Sequence, residues 1–123
     1  MMAPPTDRNL PGHVLLVEDS PIIAMNTEEL LREIGVGEVR VAGSVVQALG
    51  HLDAMRFDLA LLDLNLGDET SLPIALRLTE EGVPIVFVTG FGDDLELPEQ
   101  LRDTPILKKP YNYSDLEAIL IPA

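Results

Sequence analysis

Phe57-Asp-Leu-Ala-Leu-Leu-Asp63-Leu-Asn-Leu-Gly-Asp68 is the stretch on which the fold turns. Between Asp58 and Asp63 stand four consecutive apolar residues closed by a carboxylate, the pattern of a strand buried on both faces. Asp63 then falls at the strand's C-terminal end. In an open α/β sheet that edge is where ligands bind, so Asp63 is a candidate reactive group. Asp is also common where a strand gives way to a turn, and the other strands decide between the two readings.

Working outward, His13 to Val17 is a second apolar run, ending in Glu18 and Asp19. Ser20-Pro21 opens a helix, with Ser as N-cap and Pro at the first helical position; Ile23, Leu30, Leu31 and Ile34 recur at helical spacing and Gly35 ends it. Glu38 to Ala42 reads as a strand, and Ser44 caps a helix carrying Val45, Ala48, Leu49 and Leu52. After a loop through Asn65, Gly67 and Asp68, Ser71 and Pro73 open a third helix that runs to Gly82. Pro84 to Thr89 is the most β-prone stretch, closed by Gly90-Phe91-Gly92. Pro98 interrupts Asp93 to Thr104, which confines any fourth helix to Pro98 to Arg102. Pro105 to Lys108 is a short fifth strand. Lys109-Pro110 follows, and Asn112 or Ser114 caps a last helix through Leu116, Ile119 and Leu120, with Ser114 and Glu117 at capping-box spacing. Five strands alternating with helices predict a flavodoxin-like (βα)5 doubly wound parallel sheet in the order 2-1-3-4-5, with a short or broken fourth helix.

The 123 residues fit one domain over 13–123, preceded by a flexible leader over 1–12. There is no cysteine, which excludes disulfides and thiolate metal sites and allows the reducing cytoplasmic setting expected here. No apolar run approaches the roughly 18 residues of a membrane span, and the leader lacks the apolar segment of a signal peptide. With 21 acidic against 8 basic residues, the formal net charge is −13, which argues against direct binding of nucleic acid. It suits a cluster of carboxylates that needs a cation, although acidic surfaces also serve solubility.

In the predicted order, the C-terminal ends of four strands meet, bringing Glu18 and Asp19, Asp63, Thr89, and Lys108 or Lys109 to one edge. Crowded carboxylates repel, and a divalent cation resolves the repulsion. Oxygen ligands without His or Cys suit Mg²⁺, or alternatively Mn²⁺, rather than zinc. One carboxylate facing a cation, a hydroxyl and an ammonium is placed to attack phosphorus, and Asp63, on the central strand, is the candidate nucleophile. Consecutive strand residues point to opposite sides, so only one of Lys108 and Lys109 can enter the site.

Glu18-Asp19, Asp63, Thr89 and Lys109-Pro110, each after its own strand, resemble the CheY-like receiver domain of two-component response regulators, over nearly the whole span from His13 to Ile121. The resemblance implies that Asp63 accepts a phosphoryl group from the phosphohistidine of a sensor kinase or histidine phosphotransfer protein. It also implies that Asp19, Asp63 and the backbone carbonyl of Asn65 hold Mg²⁺, with Glu18 acting mostly through water. Thr89 would then hydrogen-bond a phosphoryl oxygen, Lys109 would pair with the phosphoryl group, and the Lys109-Pro110 bond would be cis. Such a domain is not an enzyme beyond its own phosphorylation and dephosphorylation. Pro84-Ile-Val-Phe-Val-Thr89-Gly90-Phe91 is further similar to the Pro-Phe-x-Phe-Ala-Thr-Gly-Tyr motif of receivers in alphaproteobacterial general-stress signalling and related hybrid kinases, differing at Ile85, Val88 and Phe91.

In this family Asn65 and Phe91 stand at positions that tune hydrolysis, and Phe91 reads equally as an aromatic that caps the sheet edge. Ile106 replaces the usual switch aromatic, which leaves Gly90 to Thr104 as the expected moving element. His13, His51, Asp58, Asp68, Glu80 and Glu81 read as ordinary surface or strand-end residues. The chain ends soon after Ile121, so output through a downstream protein partner is expected. A receiver that works as a binding module without phosphorylation is the alternative. A phosphatase of the haloacid dehalogenase type is disfavoured, because Asn65 stands where that chemistry needs a second Asp.

Overall fold

A computed structural model describes residues 10–90 and 96–121. Its main sheet is built from β1 (His13–Val17), β2 (Glu38–Ala42), β3 (Leu59–Asp63), β6 (Ile85–Thr89) and β7 (Ile106–Lys108), all parallel, in the spatial order β2-β1-β3-β6-β7. Counted along the chain, these five strands give the expected order 2-1-3-4-5. The stretch expected to loop after Asp63 instead forms a small hairpin, β4 (Asn65–Leu66) with β5 (Glu69–Thr70). Gly67 turns it with φ +73, a conformation that a side chain makes costly.

Alternation along the strands sorts the core onto two faces. Leu15, Val17, Ala60, Leu62, Ile85 and Phe87 face one side, under α2 (Val45–Ala54) and α3 (Leu72–Glu80). Val14, Leu16, Leu59, Leu61, Val86, Val88 and Leu107 face the other, under α1 (Pro21–Ile34) and α4 (Tyr113–Leu120). Every residue of β3 and β6 is buried, as strands covered on both faces must be. The buried stripe of α1 is Ala24, Thr27, Leu31 and Ile34, while Ile23 and Leu30 are only half-buried.

Local chemistry sets the helix ends. The Ser20 hydroxyl accepts from the Ile23 N–H, Pro21 opens α1, and Gly35 closes it at φ +123. Ser44 accepts from the Gln47 N–H at the start of α2. Ser71 precedes α3, but its hydroxyl makes no capping bond; it is buried, and its oxygen has no hydrogen-bond partner among the described residues. The predicted fourth helix reduces to one 3₁₀ turn, Glu99–Leu101, after Pro98, and its Leu101 is buried in the core.

Ahead of β1, Leu10 packs against the core beneath α1, and the Asp58 carboxylate accepts from the N–H groups of Gly12 and His13. That gives Asp58 a structural task which its reading as a plain surface charge missed.

Asn112, not Ser114, caps α4: its side chain accepts from the Asp115 N–H at 2.9 Å while the Asp115 carboxylate accepts from the Asn112 N–H at 3.1 Å. Asn112→Ala is therefore expected to cost about 1 kcal/mol of unfolding free energy, whereas Ser114→Ala, inside the first helical turn, should be neutral or stabilising by a few tenths. Denaturant titration of the two variants measures the difference.

Candidate functional site

At the C-terminal edge of the sheet, Glu18 follows β1, Asp63 ends β3, Thr89 ends β6 and Lys109 follows β7. Leu16, Leu61 and Leu107 all face the α1 and α4 side of the sheet, and Glu18, Asp63 and Lys109 each come two positions later. Strand alternation thus returns all three side chains to one side of the edge. The Lys109 Nζ lies 2.8 Å from Glu18 Oε1 and 3.0 Å from Asp63 Oδ2. Its backbone N–H donates to the Thr89 carbonyl at 2.8 Å, and the Lys109-Pro110 bond is cis. Lys108 is exposed, so of the two adjacent lysines Lys109 is the one in the site.

Glu18 and Asp63 are almost fully buried, whereas Asp19 is exposed at the rim. One carboxylate oxygen from each of the three lies within 4.8 Å of the others, an all-oxygen set that could hold a metal ion. Three carboxylates against one ammonium leave a formal charge of −2 when all are ionised, which fits a divalent cation.

Burial pushes the Asp63 carboxyl up to about 6, and the charge of Glu18 adds to the rise against the opposing pull of Lys109. Burial also works against ionisation of Glu18, but hydrogen bonds from Lys109 and from the Ser20 N–H outweigh it and hold Glu18 below its ordinary value. Burial likewise disfavours the Lys109 ammonium, yet the two carboxylates more than compensate and raise its proton affinity. The three groups behave as one network in which Asp63 is the member most ready to take a proton.

Thr89 is buried at the same edge. Asn65 is exposed at the start of the hairpin, two residues beyond Asp63. Ile106 stands on the edge strand opposite Phe87 and is partly exposed. Phe91 lies outside the described residues. The sequence reading passed over Thr27 and Tyr111, whose hydroxyls meet at 2.5 Å beside the site. A polar residue on the buried stripe of α1 was the available signal, since a buried hydroxyl needs a partner.

Residues 14–121 match the sequence model of the response regulator receiver domain. The chain belongs to that family. The receiver is 32% identical over 122 residues to the transcriptional regulatory protein PdtaR of Mycobacterium tuberculosis, covering 94% of this chain and 59% of PdtaR. It is 27% identical over 110 residues to the phyllosphere-induced regulator PhyR of Methylorubrum extorquens, covering 87% of this chain and 41% of PhyR. It therefore spans less than two thirds of either relative. The solution structure of SdrG from Sphingomonas melonis Fr1 superposes on it with a TM-score of 0.74 at 37% identity, covering 85% of this chain and 88% of SdrG. The CheY-like receiver domain from Methylobacillus flagellatus gives a TM-score of 0.75 at 30% identity, covering 88% and 94%.

A carboxyl raised from 3.8 to about 6 binds its proton more tightly folded than unfolded, so ionising Asp63 costs the receiver stability as pH rises through that interval, and the loss persists above it. With metal chelated, Asp63→Asn is expected to melt several degrees above wild type at pH 7.5 and level with it near pH 4. Thermal unfolding across that range measures it; a variant less stable at pH 7.5 would contradict the assignment.

Proposed function

We propose that this receiver is the phosphoacceptor of a two-component phosphorelay, taking a phosphoryl group from a phosphohistidine onto Asp63. The observation that carries the reading is the Lys109 ammonium held between Asp63 and Glu18 at an edge where three carboxylate oxygens converge. An Asp63 oxygen attacks phosphorus, the new O–P bond forms as the N–P bond breaks, and the electron pair leaves on the imidazole nitrogen. Lys109 faces the charge that develops on the phosphoryl oxygens, and the Thr89 hydroxyl, at the end of the neighbouring strand, donates to one of them. Burial keeps bulk water from screening these contacts.

The donor set suits Mg²⁺, which Asp19, Asp63 and the Asn65 carbonyl would hold, with Glu18 acting through water. Bound there, Mg²⁺ neutralises charge on the transferring group. The acyl phosphate formed is a dianion that draws Lys109 and Thr89 towards it, which gives the chain two states for a downstream protein to distinguish. The sensor kinase or phosphotransfer partner, the downstream protein and a cytoplasmic location are inferred from this chemistry. The stretch from Pro84 to Phe91 supports a place beside the general-stress receivers and related hybrid kinases. Among the described residues no helix is long and apolar enough to cross a membrane.

The alternative, a binding module that works without phosphorylation, has no specific observation in its favour, since acids, hydroxyl and lysine all stand together. Asp63→Asn should abolish labelling by a small phosphodonor such as acetyl phosphate, because an amide cannot form an acyl phosphate. Lys109→Ala should retain Mg²⁺ binding, as followed by an Mg²⁺ titration, while slowing labelling at least about tenfold, and Lys108→Ala should be mild. Undiminished labelling of the Asp63→Asn variant would rule Asp63 out as acceptor.

A further inference from the structure

Thr27 is 1% exposed on the inner stripe of α1, the one polar residue among Ala24, Leu31 and Ile34. Its hydroxyl meets that of Tyr111 at 2.5 Å, across 84 positions of sequence. Tyr111 lies half-buried over α1, where Ile23, Asn26 and Leu30 share a groove with Lys109 and Pro110. The phenol stands two residues after the lysine that enters the site.

These contacts close a ring. Lys109 Nζ reaches Glu18 Oε1 at 2.8 Å, Glu18 Oε2 accepts from the Ser20 N–H at 3.0 Å, and Ser20 caps α1. The helix carries the connection rigidly from Ser20 to Thr27, the hydroxyl pair crosses to Tyr111, and two peptide units lead back to Lys109. The loop is thereby anchored at both ends, at Thr89 through the Lys109 N–H and at Thr27 through the phenol. Fixing the main chain on both sides of Lys109 limits the directions in which its side chain can leave the backbone.

We infer that the Thr27–Tyr111 hydroxyl pair is a latch that positions the Lys109 ammonium over Asp63, making both of them positioning residues for phosphoryl transfer. The inference rests on the phosphoacceptor reading for its consequence, but the placement of Lys109 is measurable without it. With the latch open, the main chain around Lys109 is held at one end only, and the ammonium spends less time on Asp63. The approach of a phosphodonor also meets a less ordered cation.

The test compares wild type, Tyr111→Phe, Thr27→Val and the double variant, each losing a hydroxyl with little change of shape. Nitrogen relaxation of the Lys109 ammonium in chelator reads its placement, and labelling by acetyl phosphate reads the chemistry. Both single variants should lower the order parameter of the Lys109 side chain by about a third and slow labelling about fivefold. The double variant should go no further than either single, the mark of one shared interaction. Unchanged order at Lys109 overturns the latch, whether or not the melting temperature changes, because a purely packing role shifts stability alone. Lowered order in a chain whose wild type takes no label would uphold the latch and count against the phosphoacceptor reading instead.

Discussion

Two carboxylates that water scarcely reaches, Glu18 and Asp63, meet at the end of a packed parallel sheet, and both can be ionised there only with a cation between them. Lys109 supplies that charge from the far end of the sheet, and the arrangement depends on strand order. β3 must lie between β1 and β6, and β7 must follow β6, for the three side chains to converge. The hydrophobic core therefore positions the candidate site directly. Fully buried Leu61 and Leu62, each stabilising the fold by about 1.5–3 kcal/mol through burial, fix where Asp63 emerges.

Balance within this network also bears on the proposed reactivity. A single ammonium leaves a formal charge of −2 on three ionised acids, a set that could hold a divalent cation, and burial, reinforced by the charge of Glu18, raises the proton affinity of Asp63. A carboxylate whose proton affinity is raised by burial is also the more basic nucleophile, the property that the proposed transfer uses. Glu18, held ionised by Lys109 and by the Ser20 N–H, is the partner that stays charged. The two acids are thereby separated into different roles by their surroundings.

Most of this architecture was legible from two periodicities. The apolar runs ending in acids marked the strands, their alternation with helical spacing implied a parallel sheet, and the sheet order then gathered the site. The choice between Lys108 and Lys109 also follows from alternation, once Leu107 is known to face α1 and α4. Smaller features escaped because their determinants are tertiary. The stripe of α1 shares Leu31 and Ile34 with the apolar residues that suggested it, but Ala24 and Thr27 complete it, while Ile23 and Leu30 are only half-buried. The hairpin at Asn65 to Thr70 depends on a turn at Gly67 and on the Glu69 carboxylate, which accepts from the Val45 N–H at the start of α2. Asn112 and Ser114 are equal candidates as a cap until Asp115 is seen to close the box from the other side.

If phosphorus becomes bonded to the carboxylate of Asp63, the covalent product can be trapped. Borohydride reduces an acyl phosphate to an alcohol, converting the modified aspartate to homoserine, and peptide mass spectrometry then reads its position. After incubation with acetyl phosphate and Mg²⁺, homoserine is expected at position 63 and at no other acid. Homoserine at Asp19 or Asp68 instead, or none at any position in a chain that has taken up label, would contradict Asp63 as the acceptor.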